Sequence, residues 1–476
     1  MGLRLYNTQT RQTEEFTPPP RLRASDGLAP YEVKMYNCGP TVYNYAHIGN
    51  LRAYVFADIL RRTLEMEGYS VKQIVNITDV GHLVSDNDEG EDKIEEGARR
   101  EGKSTEEIIG LYSQAFYDDL KALNVLPATK YPRATQYIDE QKALIETLDK
   151  KGFLYTTEDG VYFDTTKFPR YADFAKLDIA GMQAGARVSM GEKKHPTDFA
   201  VWKFSPEDGN KREQEWDSPL RADRKGFPGW HIECSAIAMK ELGETIDIHT
   251  GGVDHIPVHH TNEIAQSECA TGKQFARYWM HSAHMLVDGQ KMSKSLGNTY
   301  RLSDLAEKGI APLTFRYWLL TAHYRTQVNF TWDALKGAQN AYERLRRRIF
   351  EIKKKGVTTN THPFSFVGSV FDDLDTASDI ASMWQDIQNN EYDSKTIIQE
   401  VEILDKFLGL KLLEYAPEEV VVTSELQKLL DERKTARDAK NFAASDRLRD
   451  EIRKLGYEVK DTPEGQRLEK TEKKSA

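Results

Sequence analysis

Apolar and polar positions follow two different rhythms in the first eighty residues. Tyr31 to Asn37 has the β-branched and aromatic content of a strand. Leu51, Val55, Ile59, Leu60 and Leu64 then recur at helical spacing, and Val71 to Ile77 is again apolar and extended. Between the first strand and the helix, Pro40 to Asn50 is a loop of Gly, Pro, Thr and Asn, and Gly68 stops the helix. Strand, loop, helix, strand spells a βαβ unit with a parallel sheet. In such sheets ligands gather where strand ends meet helix N-termini.

A charged, helix-prone stretch runs from Glu91 to Leu123, and Tyr137 to Lys150 is a further helix. Phe153 to Thr157 and Val161 to Thr165 flank Glu158, Asp159 and Gly160, the pattern of a β-hairpin. Hairpins are antiparallel, so residues 132–196 read as an insertion, with sheet-like sequence resuming at Asp198 to Phe204. Trp230 to Leu242 is a helix closed by Gly243, Thr245 to His249 a strand, and Val258 to Ala270 a helix closed by Gly272. Trp279 to Val287 reads as one strand ending in an Asp288–Gly289 turn and a lysine-rich loop. After Asn298 the pattern is helical, broken around Pro363 and again at Pro417 with Glu418 and Glu419. The expected division is 1–131 and 197–300 as two halves of one α/β domain, 132–196 inserted, 301–416 a helical stem, and 417–476 a small final domain. Lys470 to Ala476 is expected to be disordered.

The 476 residues, 39% hydrophobic and 29% charged, suit a soluble multidomain protein and exclude collagen-like, coiled-coil and disordered classes. The N-terminus lacks the apolar core of a signal peptide and no apolar run approaches a membrane span, so a cytoplasmic location without membrane attachment is expected. Three distant cysteines, Cys38, Cys234 and Cys269, are no disulfide scaffold. A net charge of -10 disfavours non-specific coating of nucleic acid, yet Arg344, Arg346, Arg347, Arg348, Lys353, Lys354 and Lys355, and later Arg433 to Lys454, concentrate positive charge in the last third. Each such helix reads equally as a solvated face.

Three constellations carry candidate chemistry. Cys38 and Pro40 open a loop that continues through His47, Ile48, Gly49 and Asn50 to a helix N-terminus, where backbone amides and the helix dipole favour a phosphate. Lys291, Met292, Ser293, Lys294 and Ser295 form a second loop, whose lysines can neutralise a leaving pyrophosphate. His259 and Glu263, four apart on a helix, share one face, and with Cys38 and Cys234 would offer sulfur, imidazole and carboxylate to one ion. Spacing alone leaves this set open, because buried cysteine is usually a small core residue. Cys269 reads as core, and His260 as either helix surface or an active-site donor.

A His-x-Gly loop followed by KMSKS resembles the paired signatures of class I aminoacyl-tRNA synthetases. More specifically, YNCGPTVYNYAHIGN, NITDV, EWDSP, GFPGWHIECSAIAM, GGVDHIPVHHTNEIAQSE, KMSKSLGN and the final ARDAKNFAASDRLRDEIRKLGYEV stand in the order found in cysteinyl-tRNA synthetases, over nearly the whole chain. The resemblance implies an α/β fold: a Rossmann-type parallel-sheet catalytic domain with an inserted connective subdomain, followed by an all-helical C-terminal tRNA-binding region. It implies one zinc ion on Cys38, Cys234, His259 and Glu263, cysteine bound near Trp230 and Thr78, ATP near Gly49 and Lys294, and His47, Asn50, Lys291 and Lys294 in catalysis.

The implied reaction is attack of the cysteine carboxylate on the α-phosphate of ATP, accompanied by Mg²⁺, followed by transfer to the terminal ribose of tRNA(Cys). Zinc would take the substrate sulfur as a thiolate, which the harder hydroxyl of serine matches poorly, so no editing site is expected. The expected partners are tRNA(Cys), ATP and L-cysteine, with the protein a monomer. Two alternatives share the sequence: a cysteine ligase of the same fold acting on a small amine, as in the mycothiol pathway, and a catalytically idle tRNA-binding paralogue. Two positions depart from the family. Asn50 stands where a second histidine is usual and can donate a hydrogen bond but carry no charge, so transition-state stabilisation there is expected to be weaker or redistributed. Gly465 to Leu468 lacks the usual Gly-Thr-x-Trp, which removes an aromatic platform for a base.

Overall fold

The computed structural model describes residues 2–17, 31–81, 92–177, 192–206, 212–293, 296–355, 368–389, 393–417, 422–462 and 465–470. The chain forms two compact units, Met1–Leu413 and Glu414–Ala476.

The first unit is organised by a four-stranded, wholly parallel sheet. Its spatial order is Ala276–Ser282, Ile246–Gly252, Glu32–Asn37, Ser70–Val75. The sequentially first strand therefore lies between the second and the third, and the order of connection reverses between Glu32–Asn37 and Ile246–Gly252. Loops leaving these two carboxyl ends must diverge, which opens a crevice. Helix Ile48–Met66 buries Leu51, Val55, Ile59 and Leu60 and joins a large apolar cluster with the stem helices. The charged stretch is two helices, Lys93–Glu101 and Thr105–Ala122, separated at left-handed Gly102 (φ 64°) and each capped, by Asp92 and Ser104.

Two expectations about strands are revised. Trp279 to Val287 is not one strand: Ala276–Ser282 ends the parallel sheet, and after a corner at Ala283 and His284 the strand Met285–Val287 pairs in parallel with Val328–Phe330 and antiparallel with Gln290–Lys291. The antiparallel sheet also runs past residue 196. Its order is Leu154–Thr156, Gly160–Phe163, Phe199–Phe204, Lys225–Pro228, Trp216–Asp217, so the segment read as resuming the α/β domain pairs with the hairpin instead. An apolar run such as FAVWKF is buried in either sheet and does not reveal its partner.

Beyond the lysine loop the chain is helical as expected, with Leu302–Glu307, Pro312–Leu320, Trp332–Lys355, Thr376–Asn389 and Ser394–Leu408. The all-helical expectation omits Val328–Phe330 and, in the second unit, a hairpin. That unit comprises helices Ser424–Asp438 and Phe442–Lys454, then Tyr457–Thr462 paired antiparallel with Gly465–Lys470. Arg433, read as part of a basic surface, is 1% exposed and donates to both carboxylate oxygens of Asp461 at 2.8 and 2.9 Å and to Gln466 at 2.6 Å. It is the unit's buried tie rather than a phosphate contact. The breaks at Pro363 and at Glu418 and Glu419, and residues 471–476 of the expected disordered tail, lie outside the described residues.

Candidate active site

The crevice collects the sulfur and imidazole groups. Cys38 directly follows strand Glu32–Asn37, and Cys234 lies in the second turn of helix Trp230–Leu242. The chain leaving Ile246–Gly252 passes through a π-helical turn, Ile256–His260, before helix Thr261–Thr271; π turns recur at functional sites. His259 is the fourth residue of that turn, and Glu263 lies in the first turn of the helix. One donor atom from each of Cys38, Cys234, His259 and Glu263 lies within 4.8 Å of the other three.

The predicted set is thus assembled, and it is embedded in further histidines. The Glu263 carboxylate meets His249 Nε2 at 2.9 Å and His259 Nε2 at 3.2 Å. His260 Nε2 is 3.3 Å from Cys38 Sγ, and its Nδ1 is 2.8 Å from His281 Nε2, whose Nδ1 is 2.8 Å from Thr8 Oγ1. His260 is fully buried, which settles its two readings: it is no helix-surface residue. Cys38, His249, His260 and Glu263 form a second, overlapping donor group. Burial, reinforced by the neighbouring histidines, holds His260 and His281 well below the usual histidine range, so both are neutral.

Burial, followed by the contact with Cys234 and the nearby Glu263, pushes the Cys38 thiol well above its ordinary value. Cys234 is also raised: contact with Cys38 favours its ionised form, but burial and Glu263 outweigh it. A buried thiol, a half-buried one and a carboxylate this close cannot all ionise without a cation between them. Neutral imidazoles, ionisable sulfur and a carboxylate at these separations fit a divalent cation.

Asn76, unrecognised in the sequence, links this centre to the loops around it. Its Oδ1 accepts from Gly39 N at 2.8 Å and lies 3.8 Å from Cys234 Sγ, while its Nδ2 donates to Thr78 Oγ1 at 3.0 Å. Thr78, buried, donates in turn to Glu233 Oε2 at 3.0 Å. Trp230 stands at the first helical position with its ring 5.0 Å from that of His259. His249 and His281 were also missed; the available signal was an imidazole inside strands otherwise read only as sheet, TIDIHT and YWMHS.

His47 is the N-cap of helix Ile48–Met66. Its Nδ1 accepts from Asn50 N and its own amide donates to Asn50 Oδ1, both at 3.2 Å, a reciprocal capping box. An accepting Nδ1 places the proton of the neutral ring on Nε2. Asn50 is thereby given a structural task that its oxygen performs without any charge. Replacing it by alanine removes the acceptor of His47 N but keeps the backbone bond to Nδ1, so it is expected to cost about 0.5–1 kcal/mol of stability and to lower activity by loosening His47; thermal denaturation and turnover measured on the same sample check both.

The second loop meets the first. A methyl group on Gly49 would meet Met292 Cε and fall 3.0 Å from His47 Cε1, so Met292 packs on the bare Cα of Gly49 beside the His47 ring. Ile48 N also donates to Tyr300 O at 2.8 Å. Lys291 is exposed at the end of its strand, and Ser293 N donates to Asn298 Oδ1 at 2.8 Å. Lys294 and Ser295 lie outside the described residues. Pro40 O accepts from Thr78 N at 3.0 Å, which joins the first loop to the strand end beside it.

Residues 25–340 match the family described as tRNA synthetases class I (C) catalytic domain, and residues 421–468 match Cysteinyl-tRNA ligase anticodon binding domain. The chain is 49% identical over 469 residues to Cysteine–tRNA ligase 1 of Burkholderia lata, covering 98% of this chain and 97% of the relative. It is 38% identical to Cysteine–tRNA ligase of Treponema denticola, with 97% and 98% covered. Among solved structures, the Agrobacterium radiobacter LeuRS-tRNA-LeuAMS ternary complex is similar with a TM-score of 0.57 at 11% identity, over 82% of this chain and 85% of that one. Mycobacterium tuberculosis methionyl-tRNA synthetase in complex with methionyl-adenylate gives 0.53 at 15% identity, over 80% and 82%. These two show the shared fold.

Proposed function

This chain belongs to the cysteinyl-tRNA ligase family of class I synthetases and is an ATP-dependent cysteine–tRNA ligase; from that premise we propose that it selects cysteine through a zinc ion on Cys38, Cys234, His259 and Glu263. The observation that carries the reading is the convergence of those four donors at the reversal point of the parallel sheet. When bound, zinc would accept the substrate's sulfur as a thiolate and discriminate against the hydroxyl of serine.

The chain's own residues do the rest. Trp230, its ring against that of His259, would form an aromatic wall beside the ion those four residues would hold. Thr78 and Asn76 hold the loop edge at which the substrate's polar end would sit. His47 Nε2–H and the amide of Gly49 would meet the phosphates of ATP, entering with Mg²⁺; the neighbouring Ile48 and Asn50 amides donate to Tyr300 O and to His47. Lys291 and Lys294 would meet the charge that develops on the departing pyrophosphate, and no side-chain nucleophile is required. The stem and the final unit would bind tRNA(Cys), and the protein would act as a monomer. The match of residues 421–468 to an anticodon binding domain favours tRNA over a small amine as acceptor.

Two assays test the reading together. Cysteine-dependent ATP–pyrophosphate exchange should survive deletion of everything after Leu413, while tRNA charging should be lost. Unchanged product formation from a small amine after that deletion would favour the small-molecule ligase, and absence of exchange in the full chain would favour an idle paralogue.

A further inference from the structure

We propose that Arg52 is a positioning residue for adenylate formation, fixing the base of the Lys291 loop to the helix that carries His47. Arg52 lies in the second turn of that helix and is 4% exposed. Its guanidinium donates to four backbone carbonyls: Ala283 and His284 at 2.8 Å each, Tyr324 at 3.2 Å and Thr326 at 2.6 Å. All four acceptors are neutral. Burial lowers its pKa to about 10, which leaves it charged at neutral pH. A rigid fork with five donors, answered by backbone oxygens, fixes the path of the chain in a way a flexible side-chain carboxylate would not.

The acceptors belong to the two segments that support the lysine loop. Ala283 and His284 are the corner between Ala276–Ser282 and Met285–Val287. Tyr324 and Thr326 lead into Val328–Phe330, the parallel partner of Met285–Val287, which in turn pairs with Gln290–Lys291. The corner is closed by Ala283 N to Tyr324 O at 2.9 Å and Val328 N to His284 O at 3.4 Å. One corner, one short strand and the Asp288–Gly289 turn thus separate Arg52 from the strand Gln290–Lys291, and little more than one helical turn separates it from His47. Directly after Lys291, Met292 rests against Gly49. Arg52 thus holds the strand that leads to Lys291 and Met292 the residue after it, which sets the position of Lys291 relative to His47 from both sides.

The inference rests on the reading that the His47 and Lys291 loops hold ATP. Arg52→Lys keeps the charge but offers one nitrogen for a two-armed fork, and Arg52→Gln keeps one arm without charge. In cysteine-dependent pyrophosphate exchange, run below the melting temperature of each variant, both should lower kcat about 10- to 100-fold, the scale of an ångström misplacement. KM for cysteine and metal content should stay within about twofold of wild type, because the cysteine pocket lies on other elements. Should Arg52→Gln not fold, Arg52→Lys carries the same test. Unchanged kcat per folded molecule, or a loss shared equally by KM for cysteine and metal content, would overturn the proposal. His47→Ala separates the two readings: if it leaves exchange intact, the ATP reading fails, whereas loss with His47→Ala beside normal kcat in both Arg52 variants overturns the role of Arg52 alone.

Discussion

Replacing Cys234 by serine is expected to remove the bound metal and lower kcat/KM for cysteine-dependent exchange by about 10³-fold or more, a change of about 4 kcal/mol. The hydroxyl occupies nearly the same space but does not ionise at neutral pH, so one anionic donor is lost from a site whose Cys38 is already resistant to ionisation through burial. The remaining imidazole, carboxylate and single sulfur form a weaker and harder donor set. Cys269→Ser is the control. Cys269 packs in a separate apolar cluster, and burial pushes its thiol up to about 12. That substitution should cost stability of about 1–2 kcal/mol while sparing metal content and exchange. Metal analysis of both purified variants beside their exchange kinetics checks the contrast.

Gly39→Ala should be nearly as damaging, by a different route. A methyl group there would fall 1.5 Å from the backbone oxygen of Asn76 and 2.6 Å from its carbonyl carbon, with no flexible side chain to yield. The two strand ends must separate by an ångström or more. Gly39 N would leave Asn76 Oδ1, and Asn76 would leave Cys234 and Thr78. A loss of about 3 kcal/mol in stability is expected, with metal affinity reduced because Cys38 is the adjacent residue. Denaturant titration and competition with a chelator measure the two effects, and a stable variant with wild-type metal affinity would contradict the argument.

Much of the site was legible because its chemistry resides in short strings whose local structure is simple. Glycines and a βαβ rhythm mark the loop at His47, and His259 with Glu263 announce a shared helical face. That distant Cys38 and Cys234 meet at one point came from the family resemblance rather than from spacing. What stayed hidden depends on contacts between remote segments. The role of Asn50 is a backbone hydrogen bond within a cap, invisible when the residue is weighed only as a missing imidazole. Asn76 looks like a strand-end polar residue until Gly39, Cys234 and Thr78 surround it. Phe199–Phe204 is apolar enough for a parallel sheet, and only its pairing with Gly160–Phe163 reveals an antiparallel one. The break at Ala283 and His284 has no glycine or proline to mark it, since Arg52, more than two hundred residues away, supplies the hydrogen bonds that stabilise it.

On the proposed reading, cysteine is recognised by direct coordination of its sulfur to the ion. X-ray absorption at the metal edge measures the sulfur donors around the ion before and after substrate is added. With the full-length protein, two sulfur donors should become three on addition of cysteine and remain two on addition of serine. A count of two in the presence of saturating cysteine would contradict the account.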